Sequence, residues 1–366
     1  MREMGKVDPH PRPSPRGRGG KSFTLARVLG LCGVFLVLVF VAFLLAVRFG
    51  NQSISLTVAF RDPDSVSADI FWSLRLPHAV LAALIGAGLA ASGSTLQGVL
   101  RNPLADPFIL GVSGGAALGA TLSLALGFGT VGQVAPGLGG GMERLSAPAL
   151  FAFVGAVAAM FFVLAASRGH GGRAPYAVLL TGVVFNAFAS AAITLVKTIS
   201  NPDRLGEVLY WLAGSLGYER TGTLGLSALL QAVAIGVMVA LSGRLNLLTL
   251  GDEDAASLGV PVAVTRRVLL LAASASVACA VVLSGLIGFV GLIVPHLLRL
   301  AFGPDQRLLV PLSALGGAAF LLLADLVARL SYPLFGSDPP VGAVTALIGG
   351  PLFLALLYRS GRLSVG

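Results

Sequence analysis

Charge is scarce in this chain. Only 11% of its 366 residues are Asp, Glu, Lys or Arg, where a soluble domain carries ~25%, so most of its length has no aqueous surface to offer. Cysteine is nearly absent as well. Cys32 and Cys279 both fall inside apolar stretches, with nothing of metal-ligand spacing around them, which leaves them as small packing residues. The four histidines, His10, His78, His170 and His296, lie far apart, and neither G-x-S-x-G nor H-E-x-x-H occurs. No catalytic constellation can be assembled from them.

What is abundant is hydrocarbon, 55% of the residues. Charge-free runs at 28–47, 79–100, 146–167, 174–196, 221–243 and 340–358 approach or exceed the ~20 residues an α-helix needs to cross ~30 Å of lipid. The run from 107 to 142 is too long for one crossing, and its second half, GFGTVGQVAPGLGGGM, is turn material, which leaves a helix near 108–127. SGLIGFVG splits another long run into helices near 268–284 and 286–301, and a shorter span follows at 308–324. The expected fold is an all-α polytopic membrane protein of ten transmembrane helices, one domain over residues 25–366. With the N-terminus in the cytoplasm, most of the 25 Lys and Arg fall on the inner side, so both termini are expected to be cytoplasmic.

The basic tail, residues 1–24, has nothing to bury and is expected to be disordered against anionic lipid. Its GRGGKS is not a phosphate loop, because Pro15 stands where the first glycine of that motif belongs. The apolar run after Arg27 exceeds a signal-peptide core and reads as a retained anchor.

Forty-eight glycines, some at four-residue spacing such as Gly115 and Gly119, allow helices to pack closely where lipid gives no hydrophobic drive to associate. Buried polar residues are few: Gln97, Asn186, Gln231, His296 and Asp325. A carrier driven by protons or sodium ions wants several intramembrane carboxylates. Here Asp325 stands alone, with Arg329 four residues on as its expected helical partner. A transport path whose energy comes from another chain fits better than a lone secondary carrier or a scaffold without flux.

One stretch breaks the apolar monotony. In LTLGDEDAASLGV, residues 248–260, three carboxylates stand in a segment, 244–267, expected to be a cytoplasmic loop. GDEDAASLG reads as a short helix that Asp252 caps and Gly259 ends. By itself it is either a solvated surface helix or a knob that a soluble partner grips.

Glu253, Ala255 and Gly259 have the spacing E-x-A-x-x-x-G, similar to the loop with which ABC importer permeases dock their ATPase. With LRLPHAVLAALIGAGLAASGSTLQGVLRNPLADPFILGVSGGAALGA at 74–120, WLAGSL at 211–216, GLIGFVGLIVPHLLRL at 285–300, ADLVARL at 324–330 and PPVGAVTALIGGPLFL at 339–354, the chain resembles the FecCD-type permeases that import iron siderophores, haem and cobalamin. That resemblance spans about residues 28–360. It implies a cobalamin-permease-like bundle, a type II ABC importer, in the cytoplasmic membrane.

The resemblance also implies partners: a second permease subunit, identical or related, two cytoplasmic ATPases that bind ATP and Mg, and an extracytoplasmic binding protein. Membrane lipid completes the set; no nucleic acid is expected, no metal, and no cofactor in this chain. The implied coupling helix is centred on Glu253, Asp254, Ala255 and Gly259. Asn102 and Leu104 of RNPLADP are the implied cytoplasmic gate, against the plainer reading of a helix-ending Asn-Pro turn. Arg75 and Arg329 are the implied docking positions for acidic residues of the binding protein. His78 stands where a second arginine is common, either a pH-dependent docking group or merely interfacial. A ferric siderophore is the expected substrate, with haem and cobalamin as alternatives.

Overall fold

The computed structural model describes residues 24–50, 52, 54–129, 146–166, 174–217 and 221–363. The N-terminal tail and most of the glycine-rich stretch 127–142 lie outside them. Ten principal helices follow one another: α1 Leu25–Arg48, α2 Leu76–Val99, α3 Val112–Leu126, α4 Ala147–Ala166, α5 Ala174–Ile199, α6 Thr221–Ala240, α7 Val262–Ser284, α8 Val290–Phe302, α9 Gln306–Leu330 and α10 Val341–Leu363. No β-strand occurs among the described residues.

Seven of these, α1, α2, α4, α5, α6, α7 and α9, are long and apolar enough to cross a membrane; α3, α8 and the apolar part of α10 are shorter. With 13 residues, α8 reaches only ~20 Å. The short helix expected near 286–301 is found four residues later at its start, and the reason is local. α7 ends at Ser284 and α8 begins at Val290, with non-helical backbone between them that hydrocarbon would not tolerate if exposed. Protein packs against it: Ser215 N–H donates to Ser284 C=O at the end of α7 at 2.8 Å, and the two flanking segments are joined by Gly342 N–H to Gly214 C=O at 2.9 Å. Side chains at Gly214, Gly285 or Gly342 would overlap the carbonyls of Leu286, Trp211 and Ala213, so WLAGSL, SGLIGF and PPVGAV meet backbone to backbone.

α2, α7 and α9 form the buried centre, while α1, α4, α5 and α6 expose long apolar faces. The centre closes through paired glycines. A methyl group at Gly86 on α2 would overlap Gly317 C=O on α9, and one at Gly317 would overlap Gly86 C=O; Gly115 of α3 and Gly155 of α4 meet the same way, while a methyl group at Gly93 would overlap Gly291 C=O of α8 and one at Gly291 would meet Pro107 and Leu89 C=O. Gly119 in turn sits against Phe151 C=O, as the four-residue spacing predicts.

The intramembrane polar residues join these helices. Gln231 on α6 donates to Ser276 C=O at 3.0 Å and accepts from Ser276 Oγ at 2.6 Å on α7. Asn186 on α5 donates to Phe108 C=O at 2.8 Å. Gln97 on α2 accepts from Arg299 of α8 at 2.9 Å. His296, also on α8, is buried edge-on to Phe353, with neither ring nitrogen hydrogen-bonded. Both cysteines are unbridged, Cys279 buried and Cys32 partly so.

Candidate functional site

α2 runs the length of the bundle, and a polar cluster lies at each end of it, ~36 Å apart at 1.5 Å per residue over its 24 residues.

At the C-terminal end of α2 the chain turns through RNPLADP. Arg101 takes φ of 50°, which stops the helix. Asn102 N–H then donates back to Gln97 C=O at 3.1 Å, and Asn102 Oδ1 accepts the Leu104 N–H at 2.9 Å across Pro103. This is the Asn-Pro turn that the spacing allowed, and it presents Leu104 to the outside, 41% exposed. Asp106 caps the following 3₁₀ turn, Pro107–Leu110, by accepting Phe108 N–H at 2.7 Å. Burial pushes its carboxyl above the ordinary range, and the Phe108 hydrogen bond only partly offsets that.

The acidic stretch lies beside this turn. The span 244–267, expected as a loop carrying one short helix, holds that helix at Asp252–Ser257, but is otherwise occupied by helix Ser242–Leu250 and the first turns of α7. Gly251, not Asp252, is the N-cap of the second helix. The reason is φ of 147° at position 251, which only glycine adopts readily and which places Asp252 inside the helix. Its Oδ1 accepts Arg266 at 2.7 Å and also Arg101, whose Nε donates to Leu248 C=O at 2.8 Å. Burial pushes the Asp252 carboxyl up, but the Arg266 and Arg101 guanidinia outweigh it and hold it below the usual carboxylate range.

Gly259 ends the helix as expected. Its φ is 83°, its N–H bonds Ala256 C=O at 2.9 Å and Val260 N–H bonds Ala255 C=O at 3.0 Å, the paired bonds of a Schellman stop. Ala255 is fully buried and seats the helix; Glu253, Asp254 and Leu258 face outward. Ala256, like Leu258, is exposed, so Ala255 is the apolar residue of this helix that points inward.

Sequence reasoning missed a second tie at this end. Asn246 Nδ2 donates to Asp305 at 2.6 Å, and Gln306 N–H donates to Asn246 Oδ1 at 2.7 Å, joining helix Ser242–Leu250 to α9. Burial raises the Asp305 carboxyl, while hydrogen bonds from Arg307 and Asn246 bring it net below its ordinary value.

At the other end of α2 the three residues expected to meet a binding protein are turned inward. A π turn, Ile70–Arg75, precedes α2 and aims the Arg75 guanidinium at the C-terminus of α1. There it donates to Val47 C=O at 3.1 Å, to Arg48 C=O at 2.9 Å and to Gln52 C=O. Arg75 is only 7% exposed. Carbonyls at the end of an α-helix have no intrahelical donors, and a guanidinium satisfies several at once. His78 is not interfacial either: it is buried and lies 2.9 Å from Asp325. Arg329 pairs with Asp325 at 2.9 Å, as their four-residue spacing predicts, and donates to Ala46 and Phe49 carbonyls at 3.1 and 3.3 Å. Among the described residues on this end, Arg48 and Arg61 are exposed cations.

No group of three or more His, Cys, Asp or Glu able to hold a metal occurs among the described residues. A ten-helix bundle closed by glycine contacts, with an acidic helix seated on Ala255 at one end, is the architecture of a multi-pass membrane protein. The chain belongs to the FecCD transport family, whose family model matches residues 36–359. It is 41% identical to the cobalamin import system permease protein BtuC of Halobacterium salinarum, over 83% of this chain and 78% of that one. Its identity to the hemin transport system permease protein HmuU of Yersinia pestis is 39%, over 90% and 95%. Among solved structures, an inward-facing metal-chelate type ABC transporter superposes with a TM-score of 0.78 at 31% identity, over 90% of this chain and 99% of the other. The chain is accordingly a permease subunit of an ABC importer, a transport subunit and not itself an enzyme.

Proposed function

We propose that this permease imports an iron chelate, a ferric siderophore, across the cytoplasmic membrane, with both termini inside. Two such subunits, identical or related, enclose the path. Two ATPases carrying ATP and Mg dock from the cytoplasm, and an extracytoplasmic binding protein delivers the ligand. The observation that carries the coupling assignment is helix Asp252–Ser257: Ala255 anchors it, Gly259 stops it, and Glu253 and Asp254 project from it. Helix and RNPLADP turn share one end of the bundle, so Asn102 and Leu104 form the gate beside the point where the ATPase pushes. At the outer end, Arg75, His78 and Arg329 serve docking from beneath, by fixing the α1 terminus on which exposed Arg48 sits. A haem-importing relative and a metal-chelate structural neighbour support the substrate class.

The test is reconstitution with a candidate ABC ATPase and binding protein from the same organism, comparing uptake of radiolabelled ferric siderophore, hemin and cobalamin. Siderophore uptake dependent on ATP and on the binding protein is the expected result. Transport of cobalamin or hemin without the siderophore overturns the substrate, and uptake by the permease alone overturns the ABC arrangement. Glu253→Arg and Gly259→Trp are expected to abolish ATPase co-purification; intact assembly in both sinks the coupling assignment.

A further inference from the structure

We propose that Asp252 is a positioning residue that carries the movement of the docking helix to the gate turn through Arg101. This rests on the coupling reading of helix Asp252–Ser257 given above and adds the mechanical link which that reading lacks.

Three observations converge. A single carboxylate oxygen, Asp252 Oδ1, takes guanidinium donors from two other elements, Arg101 in the turn after α2 and Arg266 in α7. Arg101 is one of two non-glycine residues with positive φ among those described. An L side chain in that region is disfavoured and persists only where its surroundings over-determine it. Here the surroundings are Leu248 C=O and Asp252, which fix the guanidinium from the docking side. Beyond Arg101 the turn is braced by the Asn102–Gln97 and Asn102–Leu104 bonds. A displacement of Asp252 is thereby delivered to Leu104 within three residues of Arg101.

The partners differ in a way that gives the device direction. The Arg266 side chain is 9% exposed, that of Arg101 38%. The Arg266 bond is the buried pivot, and the Arg101 bond, with Leu248 C=O as a second anchor of the same guanidinium, is the solvent-side link to the turn. Charge-assisted bonds are directional enough to pull a backbone turn with them.

The experiment uses the full permease–ATPase complex in nanodiscs and needs no transported ligand. Leu104→Cys is placed in a Cys32→Ala, Cys279→Ala background, and the rate of maleimide labelling is measured without nucleotide and after trapping with ATP and vanadate. With native Asp252 the two rates are expected to differ at least about fivefold. Asp252→Asn and Arg101→Gln are each expected to bring the ratio close to one in complexes that still contain the ATPase. Asp252→Glu, which keeps the charge, is expected to restore at least half of the response; a residue with a merely structural role would not show that rescue. Two charge-removing variants are included because either alone could disturb folding. A nucleotide response equal to the parent's in both variants overturns the proposal. No response in the parent itself overturns the gate and coupling reading beneath it, and Asp252 falls with it.

Discussion

His78 Nε2 on α2 lies 2.9 Å from Asp325 Oδ1 on α9, both residues buried. The other carboxylate oxygen belongs to Arg329, which also reaches the last carbonyls of α1. One carboxylate thus secures three helices where the glycine contacts between α2 and α9 cannot, near their ends. Asp325→Leu leaves a largely buried guanidinium without its counter-charge and is expected to cost about 3 kcal/mol or more. Adding Arg329→Met removes the stranded charge and is expected to recover part of the loss. The remaining monodisperse fraction after heating in detergent ranks the variants, and a single variant as stable as the parent would show that the network contributes nothing.

Glycine substitutions separate packing from backbone entropy. Gly86→Val and Gly317→Val place a side chain against a carbonyl of the facing helix, so α2 and α9 must move apart and the yield of folded protein is expected to collapse. Gly236, in α6, has nothing within 4 Å of an added methyl group, and Gly236→Ala is expected to be neutral or stabilising by up to ~1 kcal/mol. Similar thermal stability for all three would contradict the close approach.

Much of the fold was legible in the sequence because its solvent is lipid. Charge-free runs marked ten helices to within a few residues, and SGLIGFVG marked the break between α7 and α8, since length and glycine act locally. The starts of α3 and α8, each four residues later than the apolar runs suggest, were not legible, because the 3₁₀ turn Pro107–Leu110 and the backbone contacts of SGLIGF are tertiary features. At the candidate site the pattern of Glu253, Ala255 and Gly259 identified the helix and its stop. Local reading misplaced Asp252 and did not reveal what Arg75 and His78 touch. Asp252 was read as a cap by its position before an apolar run, but Gly251 takes the cap and frees the carboxylate for Arg101, 151 residues away. Arg75 and His78 were read as surface groups, whereas their partners on α1 and α9 become visible only once the helices are packed.

Gly259 offers a local test of the Schellman stop. With φ of 83° and open space around an added methyl group, Gly259→Ala meets no clash and is expected to cost about 1 kcal/mol from backbone strain alone. Gly259→Asn, which tolerates left-handed geometry better, is expected to cost less. Hydrogen exchange at Val260 N–H, which closes the motif, reads the fraying directly. Equal protection in parent and Gly259→Ala would refute the strain.

Two acidic groups at one end of the bundle are expected to respond to pH in opposite senses. The Asp252 carboxyl, held below its unfolded value by Arg266 and Arg101 against the opposing effect of burial, contributes stability that is present above the unfolded pKa of ~3.9. That contribution is lost as pH falls through the lower folded value. Asp106 is raised by burial, so its effect has the reverse sign: the folded state is favoured while the group is protonated, and that advantage disappears as pH rises through the folded value. Asp252→Asn is therefore expected to flatten the acid limb of a stability profile between about pH 5 and 2, and to lower stability at pH 7. Asp106→Asn retains an N-cap acceptor, removes a buried charge, and is expected to raise stability at pH 7 with the gain vanishing near pH 3. Thermal unfolding in detergent across pH 2–8 checks both. An Asp106→Asn variant less stable than the parent at pH 7 would mean that the ionised carboxylate is preferred there, contrary to its burial.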